Sequence, residues 1–161
     1  MRQTIRTGLL ALGAVAALAG AAAAQNFALA PTFGAVALRS GFQPDPYRRP
    51  LQSGGAVNAA QRSGGDCQGF IAEAPDFRVN FTAGGTGLPL VFSVESRADT
   101  TLVINGPDGK WYCDDDSGNG ELNPSFTFRA PASGQYDVWV GTYGGATLQP
   151  ATLSVSELYS N

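Results

Sequence analysis

The sequence predicts an all-β protein: an antiparallel β-sandwich or jelly roll in a single domain, behind an extended N-terminal leader. Three observations carry that prediction. From Cys67 onward, apolar residues alternate with polar or small ones at a period of two. Clusters of Gly, Pro, Asp and Ser break the alternation at short intervals, as turns between strands do. Beyond the first two dozen residues, no stretch shows the three-and-four spacing of an amphipathic helix. A closed barrel fits the same pattern and is the alternative architecture.

The elements follow in chain order. Arg2 and Arg6 precede an apolar run over residues 8–20, and Ala22-Ala23-Ala24 then supply a small-residue cleavage site before Gln25. This is the pattern of a secretory signal over residues 1–24, with a retained N-terminal anchor as the alternative. The run is short for a membrane span, and nothing later has the roughly 20 apolar residues a spanning helix needs. Residues 25–65 are rich in Gly, Ala, Ser, Pro and Gln, with turn signals at Pro44-Asp45-Pro46 and Ser53-Gly54-Gly55. Phe27, Phe33, Phe42 and Tyr47 set this segment apart from a disordered leader, so extended stretches near 35–38 and 51–57 are expected to lean on the main domain.

Residues 66–161 carry the sandwich itself. Leu90, Phe92 and Val94 share one strand face; so do Leu102 and Ile104, Phe126 and Phe128, Tyr136, Val138 and Val140, and Leu153 and Val155. Gly106-Pro107-Asp108-Gly109 is a turn sequence that predicts a hairpin between residues 100–105 and 110–114. Further turns fall at 83–87, 117–120, 131–134 and 144–145. The Gly84-Gly85-Thr86-Gly87 cluster has no strand-to-helix setting, so it reads as a hairpin loop and not as a phosphate cradle.

Composition excludes several chemistries. The chain has no histidine, which removes Ser-His and Cys-His catalysis and the usual zinc sites. Lys110 is the only lysine and follows a turn, a poor setting for a Ser-Lys dyad. Asp99-Thr100-Thr101 is the kind of triplet aspartic proteases use, but a second such loop is missing. Without Arg2 and Arg6, eight basic residues face thirteen acidic ones, a net charge of −5 with no basic stripe, so nucleic acid is not an expected partner. Cys67 and Cys113 are the only cysteines. In an oxidising compartment such a pair is expected to form a disulfide, closing a loop of about 47 residues worth about 4 kcal/mol.

The run from Asp99 to Tyr143 resembles the bacterial pre-peptidase C-terminal domain. The matching pieces are Asp99-Thr100-Thr101-Leu102-Val103-Ile104 leading into Gly106-Pro107-Asp108-Gly109, the acidic Asp114-Asp115-Asp116, and Gly134-Gln135-Tyr136-Asp137-Val138-Trp139-Val140. They cover about a third of the chain in the family's order. The resemblance implies a small secreted β-sandwich with an accessory role: some members bind calcium, some bind polymeric substrates, and others assist secretion. A shared fold supplies no activity of its own.

The acidic stretch Trp111-Tyr112-Cys113-Asp114-Asp115-Asp116-Ser117-Gly118-Asn119-Gly120 is the sharpest functional signal. Asp115, Ser117, Asn119 and Gly120 fit the first half of a calcium loop, whereas Phe126 stands where a bidentate Glu belongs. A calcium site would therefore use Asp114, Asp115, Asp116 and Asn119 and borrow a ligand from Asp99, Asp108 or Glu121. Strand alternation puts Trp111, Cys113 and Asp115 on one face and Tyr112, Asp114 and Asp116 on the other, the latter two acids solvated or forming a second ligand pair. A solvated turn and a glycosidase-like carboxylate pair are the other readings. Trp111, Tyr112, Trp139 and Tyr143 are candidates for a sugar-stacking platform, with Trp139 out of phase with Tyr136, Val138 and Val140.

The expected protein is thus a secreted or periplasmic, non-catalytic accessory or binding module with a structural calcium ion and a polysaccharide or an extracellular protein as partner. A carbohydrate-binding module, a weak glycan hydrolase and a structural envelope protein are the alternatives.

Overall fold

The computed structural model describes residues 27–61, 63, 65, 67–120 and 122–160. The signal expected over residues 1–24 lies outside them, as does Glu121. Among the described residues are eleven strands and one 3-10 turn (Ala59–Gln61). The strands are β1 (Ala35–Arg39), β2 (Tyr47–Ser53), β3 (Val57–Asn58), β4 (Phe70–Ile71), β5 (Phe77–Thr82), β6 (Leu90–Ser96), β7 (Thr100–Asn105), β8 (Trp111–Asp114), β9 (Ser125–Phe128), β10 (Gly134–Thr142) and β11 (Gln149–Ser156). No helix among them is long and apolar enough to cross a membrane.

Two sheets form the sandwich. Sheet B runs β2-β11-β6-β9 and is antiparallel throughout. Sheet A runs β1-β5-β10-β4-β3, and β10 also pairs with β7, which in turn pairs with β8. The predicted hairpin is the β7–β8 pair, with Asn105 opposite Trp111 and Leu102 opposite Asp114. Its turn closes with Gly106 N–H on the Lys110 carbonyl at 2.9 Å, and Gly109 takes the left-handed conformation at φ 75°.

One pairing departs from the antiparallel expectation, because β1 lies parallel to β5, with Val36 opposite Val79. Parallel pairing needs a long crossover, and the connection supplies one by visiting sheet B as β2 before returning. The Gly- and Pro-rich segment 25–65 accordingly contributes strands to both sheets.

The period-two faces meet between the sheets. Leu90, Phe92, Val94, Leu102, Ile104, Tyr136, Val138, Val140, Leu153 and Val155 are all buried in one core, with Phe126 and Phe128 packed at its side. Phe92 stacks edge-on against Phe128 with ring centres 5.9 Å apart, and Phe128 lies 5.1 Å from Tyr136. Each such buried side chain stabilises the fold by about 2 kcal/mol.

A second, smaller core lies on the opposite face of sheet A. Trp139, Val103 and Cys113 form one cross-strand row over β10, β7 and β8. The Cys67–Cys113 disulfide holds Cys67 against this row beside the 3-10 turn and β4, and Ala59, Cys67, Ile71, Val103 and Trp139 are all fully buried. Trp111 packs against Trp139 at 5.4 Å.

Asp76 fills a gap in the β10 ladder. β5 pairs with β10 as far as Val138, and β4 resumes the pairing at Thr142. Between them the Val140 N–H donates to the Asp76 carboxylate at 2.7 Å, while the Val140 carbonyl accepts from Gly54 N–H at 2.8 Å. Burial raises the Asp76 pKa from 3.8 to about 7, against the lowering effect of that hydrogen bond.

Candidate functional site

Three loops converge at the end of the sandwich where β8 stops. They join β6 to β7, β8 to β9, and β10 to β11. Asp99 is the junction: its carbonyl accepts from Tyr143 N–H at 3.0 Å, and the next residue, Thr100, donates its N–H to the Leu122 carbonyl at 3.0 Å. Asn123, which the sequence does not single out, locks the first two loops together. Its Oδ1 accepts from Ser96 N–H and from the Thr100 hydroxyl, both at 3.1 Å, and its Nδ2 donates to the Ser96 carbonyl at 3.1 Å.

The acidic run divides by role. Asp114 closes β8 and organises the loop, accepting from Ser117 N–H at 2.8 Å, Ser117 Oγ at 2.6 Å and Ser125 N–H at 2.9 Å. These donors occupy most of its lone pairs, so Asp114 is a half-buried loop staple. The loop folds tightly enough that Gly118 lies against the Asn123 backbone: a Cβ there would sit 2.5 Å from the Asn123 carbonyl oxygen. Asp115 is half-buried and accepts from Gln68 Nε2 at 3.4 Å; Asp116 and Asn119 are exposed.

Asp99, Asp115 and Asp116 share one electrostatic field. Partial desolvation raises the Asp99 pKa, and the negative charges of Asp116 and Asp115 raise it further. Among the described residues no three acidic, His or Cys side chains stand close enough to form a metal-holding group. Asp108 does not join them. It sits at the far tip of the β7–β8 hairpin, where it accepts from the Tyr112 hydroxyl at 2.7 Å and Lys110 N–H at 3.1 Å. The Tyr112 hydrogen bond, ahead of the Lys110 contacts, holds the Asp108 carboxyl below its ordinary pKa.

The aromatic platform is not assembled. Trp139 does face away from Tyr136, Val138 and Val140, but that side of the sheet is covered, and Trp139 has no exposed surface. The disulfide-held segment is the physical reason. Trp111 joins Trp139 in that cluster, whereas Tyr112 points the other way and packs on Phe126 and Phe128 at 5.2 and 4.9 Å. Of the four aromatics only Tyr143 is exposed, at 47%.

Tyr143 belongs to a different grouping. Leu122, Tyr143 and Leu148 are large exposed apolar side chains on the β8–β9 and β10–β11 loops. The β8–β9 loop also carries Asp115 and Asp116, and the β6–β7 and β10–β11 loops border a hollow of about 250 Å³ lined by Ala98, Asp99, Thr142, Gly144, Gly145, Thr147 and Gln149. Beside it, a groove of about 820 Å³ runs along sheet B past Pro50, Gln52, Glu95, Arg97, Pro150 and Thr152. The most strongly shifted acid, Asp76, is 2% exposed and lines neither.

The architecture defines an all-β sandwich with a disulfide-held second core. No protein-family model matches the chain, and no curated protein matches it significantly. Among solved structures, it is similar to PliG of Aeromonas hydrophila, a periplasmic inhibitor of g-type lysozyme. The two are 13% identical with a TM-score of 0.34, over 76% of this chain and 96% of that one.

Proposed function

We propose that the protein is a non-catalytic binding module of an oxidising compartment outside the cytoplasm, and that it binds a protein partner through the three-loop end of the sandwich. The observation that carries this reading is the combination of exposed Leu122, Tyr143 and Leu148 with Asp99, Asp115 and Asp116 at one end. Apolar anchors with a rim of one charge sign are features of protein docking surfaces. The chemistry favours a partner that presents Lys or Arg around an apolar patch. The Cys67–Cys113 bond supports the compartment, since disulfides persist where thiols are not kept reduced.

The test is affinity capture from the exported protein fraction of the source cells, comparing the parent with a Leu122→Asp, Tyr143→Asp double variant. A partner retained by the parent, released by added salt and lost by the variant supports the reading. Equal retention by both removes the loop end as the site.

Calcium is part of the proposal: Asp99, Asp115 and Asp116, which form no metal-holding group in the described structure, would be drawn together as its carboxylate ligands on binding. Their mutual repulsion is what a divalent cation would relieve. A cation bound only by the folded state adds about 2.7 kcal/mol when present at a hundredfold excess over its Kd. Thermal unfolding in EDTA and then in millimolar calcium is expected to show a higher Tm with the metal, and Asp115→Ala to abolish the gain. An equal Tm in both would sink the calcium component and leave the docking surface standing.

A further inference from the structure

We propose that the free edge of β1 pairs with the same edge of a second copy of this chain, joining two sandwiches through one continuous sheet. β1 ends sheet A: β5 flanks one side, and no described residue pairs with the other. In a parallel pair, alternate residues turn their N–H and C=O toward a given neighbour. The Gly34 carbonyl accepts from Arg78 N–H at 3.2 Å, and Ser40 N–H donates to the Thr82 carbonyl at 3.0 Å. The even-numbered positions therefore face β5. Ala35, Ala37 and Arg39 turn their backbone groups outward.

The other edges carry protection that β1 lacks. β2 contains Arg48, Arg49 and Pro50, and proline removes a donor from an edge. β8 and β9 are four residues each and close on one another through Tyr112 and Phe126, 5.2 Å apart. β3 has two residues. β1 has five, with no proline, no acid, and one charge at its end.

Its own sequence complements it. An antiparallel copy centred on Ala37 sets Ala37 opposite itself and Ala35 opposite Arg39 of the second copy, each pair able to exchange both hydrogen bonds. On the inner face, half-buried Val36 then meets Leu38 of the second copy, an apolar cross-strand pair that extends the core. On the outer face each Arg39 lies opposite an alanine. Arg78, in register with Ala35 on β5, is neutralised by Asp137 at 2.6 Å.

Sedimentation equilibrium of the oxidised protein, from micromolar to near-millimolar concentration, is expected to show the mass rising toward that of a dimer. Ala37→Glu puts like charges directly opposite each other at the centre and should hold the protein monomeric, with an unchanged Tm at dilutions where the parent is also monomeric, since the Ala37 side chain is exposed. Ala35→Glu creates a cross-strand pair with Arg39 of the second copy and should tighten association by about two- to fivefold. A monomer at every concentration overturns the proposal, as does association that Ala35→Glu fails to tighten. Amides of residues 35, 37 and 39 that become protected only on adding an extended peptide of another protein would also overturn it, assigning the edge to a foreign strand.

Discussion

Replacing Asp76 by Asn is expected to abolish a fall in stability that the parent protein shows as pH rises from about 4 to about 7. The folded-state pKa is about 7, above the ordinary 3.8, so the folded protein binds this proton more tightly than the unfolded chain does. Below both values Asp76 is protonated in either state, and no penalty exists. Between them the unfolded chain releases the proton while the folded protein keeps it, so stability declines by about 1.4 kcal/mol per pH unit. Above pH 7 the loss levels off at about 4 kcal/mol, because a charged carboxylate is then buried at the β10 gap. Asn retains an oxygen that accepts the Val140 N–H but has no proton to lose. Urea unfolding of both proteins at pH 5 and pH 8 measures the difference. Equal pH dependence in the two would show that Asp76 is ionised at little cost.

Reducing the Cys67–Cys113 bond, or replacing both residues by Ser, should cost about 4 kcal/mol in the chain-entropy model for a 46-residue separation. It should also loosen the cover over the second core before the main sandwich opens, because the disulfide is the covalent tie between that cover and β8. The chain's two tryptophans, Trp111 and Trp139, both lie under that cover. Fluorescence emission should therefore shift to the red in reducing buffer while the far-ultraviolet circular dichroism keeps its strand signal. Unchanged emission would mean that apolar packing alone keeps the segment in place.

The main core was legible because each of its strands buries one face, and burial of one face writes itself into the sequence as alternation. Trp139 shows where that logic stops. Alternation gives the phase of a side chain but not whether its face is covered, and the cover here consists of a short 3-10 turn, a two-residue strand and a disulfide. The disulfide itself was legible as the sole cysteine pair. In the acidic run, composition marked the loop but could not separate Asp114, held by two loop amides and a hydroxyl, from Asp115 and Asp116. The partners of Asp114 are fixed by the path of the turn. Asn123 and the exposed Leu122, Tyr143 and Leu148 carry no motif, since what matters about them is which loops the topology brings together. The parallel placement of β1 was hidden for a similar reason: strand direction depends on the route through β2, which no local pattern records.

That route also bears on when the protein can fold. β2 takes its hydrogen bonds from β11, and Tyr47 is aligned with Val155. A chain that emerges from a ribosome or a translocation pore N-terminus first must hold β2 unpaired until β11 has appeared. Pairing over such a separation is slow, and a waiting strand is exposed to aggregation. Arg48, Arg49 and Pro50 lie in that waiting strand, and charges and proline are what discourage premature association of a strand with its neighbours. Completion of sheet B is then a step that follows the emergence of β11, with the arrival of that strand as its trigger.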